Sequence, residues 1–388
     1  MDRHLDHETL VKLLHASDLD SISFAAIENL FIEEASISEY KPDGLCQIDP
    51  RNGDRIVYNS ARARRPHDNT PAEKDKIYAE PQQECVICQG KTTHVLDVAA
   101  LSDGFTFINK NLFPILYPSE SAHPYPADPG NKHSGSTGFP AHGLHFLQWT
   151  SSYHNRDWHN MPLDDRIVVL ERLAVLEHKL LTDSGAKMPT SDITPKDQHL
   201  HGYVSIIKNF GRLVGGSLAH GHQQIAFSNI LPRRTCDNWR YFQEHGETFS
   251  SDLLRENPSD FTILDYGPAK LLVPYFMRRP YDMFLLMKDT SKSYLYELNA
   301  EELRSLAEGW HDAILAMLLI MPQIGREPAY NVITNNGPGA GLYFEFLPYT
   351  QETGGMEHIG LYLCQGNPHD TATQIKLTLA ENLNNLDE

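Results

Sequence analysis

One order of elements occurs twice along this chain, and that constrains the fold more than any single motif. "HGLHFLQW" (142–149) reads as a strand. "MPLDDRIVVLERLAVLEHKLL" (161–181) has apolar residues at helical spacing and a proline near its start. "GYVSIIKNFG" (202–211) is a strand ending in an Asn-x-Gly turn, and "SLAHGHQQIAFSNILP" (217–232) is the returning strand. The order then repeats: a strand at 282–289, a helix at 299–321 and a strand at 329–337 that runs into a second Asn-x-Gly turn. Asn299 and Glu302 are spaced as a capping box at the start of that helix. The return at 341–348 ends in Leu-Pro, as the first one does. Two copies of strand, helix, strand, turn, strand predict an α+β fold, in which tandem repeats form an antiparallel sheet flanked by helices. Residues 1–40 read as a helical, acidic N-terminal extension, 41–235 as the first half and 236–388 as the second. The stretch 118–143, rich in Pro, Gly, Ser and His, reads as a long surface loop.

Composition narrows the partners. The 388 residues carry a formal charge of −18. An acidic surface argues against nucleic acid and against anionic membranes as general partners, while leaving room for a local basic site. No apolar run is long enough to span a bilayer, and "MDRHLDHETLVKLLHAS" lacks the apolar stretch of a signal peptide, so a cytoplasmic location is expected. Five cysteines are too few, and odd in number, for a disulfide framework.

"GGSLAHGHQQI" (215–225) holds the chemistry. In an extended strand His220, His222 and Gln224 fall on one side. Three polar groups in a row are costly on a dry face and make sense lining a site. Cys85 and Cys88 form a C-x-x-C that can turn two thiolates toward one ion. No second C-x-x-C exists, so histidines must complete any zinc site, and with 20 histidines their number does not say which. A redox pair and two ordinary buried thiols are the competing readings. No strand-then-helix pattern of the thioredoxin kind surrounds the motif, which favours zinc.

These residues resemble the galactose-1-phosphate uridylyltransferase family, a branch of the histidine-triad superfamily. Its signature is a Gly/Ser segment followed by His-x-His-x-Gln, here Gly216-Ser217-Leu218-Ala219-His220-Gly221-His222-Gln223-Gln224. The family usually has proline between the histidines and glycine after the second; this chain has Gly221 and Gln223. Further landmarks follow the family's order: Arg62-Ala63-Arg64-Arg65-Pro66, "NLFPIL" (111–116), Asn209-Phe210-Gly211 and "GGME" (354–357). They run from about residue 45 to 365.

The resemblance implies one structural Zn2+ per subunit, held by Cys85, Cys88, His220 and a histidine of the middle segment. His154 fits that place better than His159, because the family's next apolar positions then fall on Trp158 and Met161. It implies His222 as a nucleophile that forms a covalent phosphoramidate, with Gln224 on a phosphoryl oxygen. Arg62, Arg65, Asn111, Asn209, Ser217 and Glu357 become the substrate-binding residues, Glu357 on the sugar side. Some family members bind a second metal through a further His-x-His; the equivalent strand here, Leu342-Tyr343-Phe344-Glu345-Phe346-Leu347, has no histidine. The implied activity is nucleotidyl transfer on nucleoside-diphosphate sugars. UDP-glucose:galactose 1-phosphate uridylyl transfer leads, and an ADP-glucose-type phosphorylase is the alternative. A non-catalytic, zinc-stabilised nucleotide-binding protein is the rival from another class. The partners are then a nucleotide sugar and a sugar 1-phosphate. The family often forms homodimers, an expectation carried by the resemblance alone.

Overall fold

The computed structural model describes residues 3–15, 18–49, 55–59, 61, 85–118, 139–189 and 200–386. Three helices open the chain: α1 (His7–Leu13), α2 (Phe24–Glu33) and α3 (Ala35–Ser38). Asp6 and Ser23 cap the first two through their side chains. Strands β1 (Leu45–Ile48), β2 (Arg55–Tyr58) and β5 (Phe139–Pro140) form a small three-stranded sheet. Strands β3 (Val95–Ala100), β4 (Phe105–Lys110) and β6 (Gly143–Trp149) begin the main sheet. Helix α4 (Leu163–Thr182) crosses from β6 to β7 (Tyr203–Phe210), and β8 (His222–Ser228) returns beside it.

After α5 (Arg233–His245) and α6 (Phe249–Glu256), the second copy follows. It comprises β9 (Thr262–Asp265), β10 (Ala269–Leu272), β11 (Met283–Met287), α7 (Ala300–Gln323), β12 (Tyr330–Asn335) and β13 (Tyr343–Pro348). The chain ends in α8 (Gly355–His358) and α9 (Pro368–Leu386). The capping box of α7 is present, with Asn299 accepting from Glu301 and Glu302 and the Glu302 carboxylate accepting the Asn299 N–H at 2.7 Å.

The main sheet has ten strands in the order β3-β4-β6-β8-β7-β12-β13-β11-β10-β9. Each half supplies five, and the second five mirror the first. The halves meet where β7 pairs antiparallel with β12, Ile207 opposite Ile333. This is the tandem α+β architecture that the repeated order predicts. Both Asn-x-Gly turns place glycine at positive φ, +87° at Gly211 and +99° at Gly337, a conformation that favours glycine.

One face of the sheet takes the long helices. Leu170, Leu173 and Leu180 of α4 and Trp310, Ile314 and Met317 of α7 join Ile206, Ile225, Val332 and Phe344 in one core. Trp158 meets Trp310 at 4.6 Å between ring centroids. Each such side chain contributes about 1.5–3 kcal/mol by burial. Among the described residues no helix is long and apolar enough to cross a membrane.

Three features differ from the sequence reading. The returning strand begins at His222, so 217–221 precede it. The edge strand β3 and the β9–β10 hairpin are additional to it, because runs of four to six residues carry little periodicity. The N-terminal extension is helical, yet it is built into the first half. The backbone of Leu5 donates to Ser152 O, and His154 N donates to Arg3 O at 2.9 Å. Leu5 and Leu10 pack with Ile87, Phe107 and Trp149.

Candidate active site and metal centre

The C-x-x-C segment is a tight turn, with Gln89 N donating to Cys85 O and Gly90 N to Ile87 O. Gly90 has φ +69°, and a Cβ there would lie 2.3 Å from Thr9 Cγ2, so α1 seats directly on the turn. The turn faces the segment 150–161 between β6 and α4 and the last residues before β8. Cys85, Cys88, His154 and His220 bring one ligand atom each within 4.8 Å of one another. His220 Nδ1 stands 3.7 Å from Cys85 Sγ and 3.6 Å from Cys88 Sγ, and His154 Nδ1 stands 3.8 Å from Cys88 Sγ.

A tetrahedral ion with ordinary zinc–sulfur and zinc–nitrogen bond lengths separates an S and an N ligand by about 3.6 Å. The geometry therefore fits an ion of that size. The other ring nitrogen of His220, Nε2, donates to Ser151 O at 2.8 Å, which leaves Nδ1 as the lone-pair atom facing the sulfurs. Burial opposes ionisation of both thiols. The adjoining His154 and His220 rings outweigh it at Cys85 and draw that thiol down. Burial and the adjacent Cys85 push Cys88 up to about 12. A bound divalent ion would favour both thiolates. His159 lies outside the cluster, and its Nδ1 has no hydrogen-bond partner.

His222 is the first residue of β8, opposite Trp149 of β6. Its ring lies 4.8 Å from that of Trp149, and Trp149 Nε1 is itself held by Asn109 Oδ1 at 2.8 Å. His222 Nδ1 donates to the carbonyl oxygen of His220 at 2.8 Å. An imidazole whose Nδ1 carries the proton presents the lone pair of Nε2. Burial lowers the His222 pKa to about 4, so the ring is neutral near pH 7. His220 thus faces two ways: its ring belongs to the metal cluster and its carbonyl fixes the His222 tautomer.

A buried ion pair supports this strand from the helix side. Lys208 Nζ lies 2.8 Å from Asp157 Oδ2 and donates to the His222 carbonyl at 3.3 Å. Lys208 holds the Asp157 carboxyl below its ordinary range despite complete burial. Asp157 also explains Gly221. A Cβ on Gly221 would lie 2.6 Å from the Asp157 carboxyl carbon, so the residue between the two histidines has no room for a side chain. Gln223 points to the helix side, where it donates to Gln148 Oε1 at 2.7 Å and accepts from Trp158 Nε1 at 3.3 Å. The sequence reading missed Asp157 and Lys208; a lone lysine within the apolar strand "YVSIIKNF" was the available signal.

The other sequence-predicted residues are placed as follows. Gln224 is half-buried and pairs with Ile207 of β7. Asn209, at the end of β7, accepts from Asn331 Nδ2 at 2.7 Å. Ser217 is half-buried just before β8. The backbone N–H groups of Gly215 and Gly216 donate within their own loop, to Arg212 O and Gly211 O. Asn111 is buried, accepts from Phe113 N at 2.9 Å and lies 3.3 Å from His145 Nδ1. Glu357 stands apart: its carboxylate accepts from Gly354 N at 2.7 Å and Leu363 N at 3.3 Å, bracing the loop that carries α8. Arg62 and Arg65 lie outside the described residues.

Solved structures share this architecture. A uridylyltransferase aligns with a TM-score of 0.64 at 20% identity, covering 87% of this chain and 99% of that one. The chain has the uridylyltransferase fold. An ADP-glucose phosphorylase from Arabidopsis thaliana, solved with bound ADP-glucose, carries that fold too: TM-score 0.57, 17% identity, 85% of this chain and 98% of that one. A GALT-like protein of the same plant also aligns at TM-score 0.57, with 17% identity over 75% of this chain and 90% of its own. No family model matches the chain. Among curated proteins, ADP-glucose phosphorylase of Arabidopsis thaliana is 23% identical over 186 residues, 44% of this chain. The chain spans about half the length of that relative (50%). The uridylyltransferase fold agrees with the resemblance read from the sequence.

Proposed function

We propose that the protein transfers nucleotidyl groups from nucleoside-diphosphate sugars through a covalent intermediate on His222. The observation that carries this reading is the hydrogen bond from His222 Nδ1 to the His220 carbonyl, which presents Nε2 as a neutral nucleophile. In the first step Nε2 attacks the α-phosphorus. The P–N bond forms as the bond to the β-phosphate oxygen breaks, and a sugar 1-phosphate leaves with that electron pair. In the second step a phosphate oxygen of the acceptor attacks the same phosphorus, the P–N bond breaks and Nε2 regains its lone pair. Gln224 donates to a non-bridging oxygen, and Asn111, Asn209, Ser217, Arg62 and Arg65 hold the nucleotide. Glu357 serves the sugar side.

Zinc on Cys85, Cys88, His154 and His220 leaves no open position, so its contribution is structural. The chain's own residues then do the aiming: the His220 carbonyl fixes the tautomer, and Lys208 fixes the backbone of His222. In this reading residues 41–235 form the half with the zinc and catalytic histidines, and 236–388 form a degenerate second half.

UDP-glucose as donor and galactose 1-phosphate as acceptor is the leading assignment, supported by the order of motifs along the chain. The similarity in sequence to an ADP-glucose phosphorylase supports a second reading, with ADP-glucose as donor and inorganic phosphate as acceptor. Intact-mass measurement after incubation with UDP-glucose, ADP-glucose or GDP-mannose decides. A uridylyl adduct discharged by galactose 1-phosphate establishes the first reading, and an adenylyl adduct discharged by phosphate establishes the second. The absence of any adduct on His222 refutes both.

A further inference from the structure

A cavity of about 590 Å³ opens on the second half, within the size range of small-molecule sites. Its lining includes Tyr343, Glu345 and Leu347 of β13. The ladder puts these on the same sheet face as His222. Gln224 pairs with Ile207, Ile207 with Ile333 and Ile333 with Glu345, so one row crosses four strands. Three strand spacings separate Gln224 from Glu345 by roughly 14 Å.

The floor of the cavity is held in place before any ligand arrives. The Tyr343 hydroxyl donates to Asn238 Oδ1 at 2.9 Å. Glu345 accepts from Asn335 at 3.0 Å and from Arg234 at 2.8 Å. A locked floor loses little freedom on binding.

Asp282 lines the same cavity and is 3% exposed. Its Oδ2 accepts the backbone N–H of Arg279 at 3.1 Å. Its Oδ1 has no hydrogen-bond partner, since Arg279 Nε stands 3.7 Å away. A buried carboxylate oxygen without a donor is costly, and a ligand hydroxyl would relieve it. Burial has already raised this carboxyl to about 7. Phe276 supplies an apolar wall, 5.8 Å from Phe284 and 5.9 Å from Phe249. At the rim the exposed Arg278 guanidinium lies 4.9 Å over the Tyr362 ring.

We propose that this cavity is a second ligand site, for a phosphorylated sugar, separate from the nucleotidyl site at His222. A sugar hydroxyl donates to Asp282 Oδ1, the ring's apolar face lies on Phe276, and the phosphate meets Arg278 at the rim. Hexose phosphates and nucleoside monophosphates both carry this chemistry. The site does not depend on the reaction assigned to His222.

The test is calorimetric titration of the full chain with glucose 1-phosphate, with UMP and AMP, and with inorganic phosphate. Arg278→Ala, an exposed change, and Asp282→Asn, a change of equal size, are measured beside the parent. The expected result is a class of sites, one per subunit, that both variants weaken by about tenfold or more. Covalent labelling of His222 should be unchanged in Arg278→Ala. Tighter variant-sensitive binding of glucose 1-phosphate than of UMP or AMP makes the free sugar phosphate the occupant, and the reverse order makes it a nucleotide. Parent-like affinity and stoichiometry for every probe in both variants overturns the proposal. Variant-sensitive binding without any His222 adduct would keep this site while refuting the nucleotidyl mechanism.

Discussion

Strands β8 and β13 hold equivalent places in the two halves, and they have been put to different uses. Each returns antiparallel beside the strand that ends in an Asn-x-Gly turn. Gln224 lies opposite Ile207 and Glu345 opposite Ile333, two residues before Asn209 and Asn335. By that register Tyr343 stands where His222 stands. In the first half the position carries a buried imidazole with its tautomer fixed by a neighbouring carbonyl. In the second half it carries a buried phenol bonded to Asn238, above an arginine–glutamate pair. Beside β8 lie four side chains that could hold a metal ion; among the described residues no such cluster of three or more lies beside β13. The repeated order of strands thus supplies two equivalent positions, and their side chains give one an imidazole and the other a phenol.

The largest expected effect tests that asymmetry directly. His222→Gly should abolish the nucleotidyl adduct and lower turnover by about 10⁴-fold or more, with fold and metal content retained. Tyr343→Phe should leave the adduct intact. An adduct on the His222 variant would end the distinction between the halves.

Next comes the metal. Purified protein should hold about one zinc per chain, and His154→Ala should lower that content and destabilise the protein. His159→Ala should retain the metal. A full equivalent of zinc in His154→Ala would move the fourth ligand elsewhere.

A smaller effect is expected behind β8. Lys208→Met leaves Asp157 buried without its partner and should destabilise by about 3–5 kcal/mol in denaturant unfolding. It should also lower the rate of adduct formation, since Lys208 holds the His222 carbonyl. Lys208→Met with Asp157→Asn should recover part of the stability but not that rate. Full recovery of both would reduce Lys208 to a structural role. The smallest change concerns the second half alone. Asn299→Ala removes the cap of α7 and should cost about 1 kcal/mol with no change in metal content or labelling.

The sequence by itself determined the α+β class, the doubled order of elements and the α7 cap, because helical periodicity and Asn-x-Gly turns are local properties. It also put Cys85, Cys88, His154 and His220 forward as one ligand set through the family resemblance, and the structure brings those four side chains together. Spacing alone could not have chosen among 20 histidines. Only tertiary structure decided that the helical extension seats on the C-x-x-C turn, since Gly90 and Thr9 are distant in sequence and touch only after folding. Only it placed Asp157 behind Gly221 and paired it with Lys208 across 51 positions of chain. A buried charge finds its partner through the packing of β7 against the segment before α4, and no local pattern in either segment encodes that meeting. The same reason accounts for Glu357. Its motif is legible, but its hydrogen bonds to Gly354 and Leu363 are set by how the loop closes on itself.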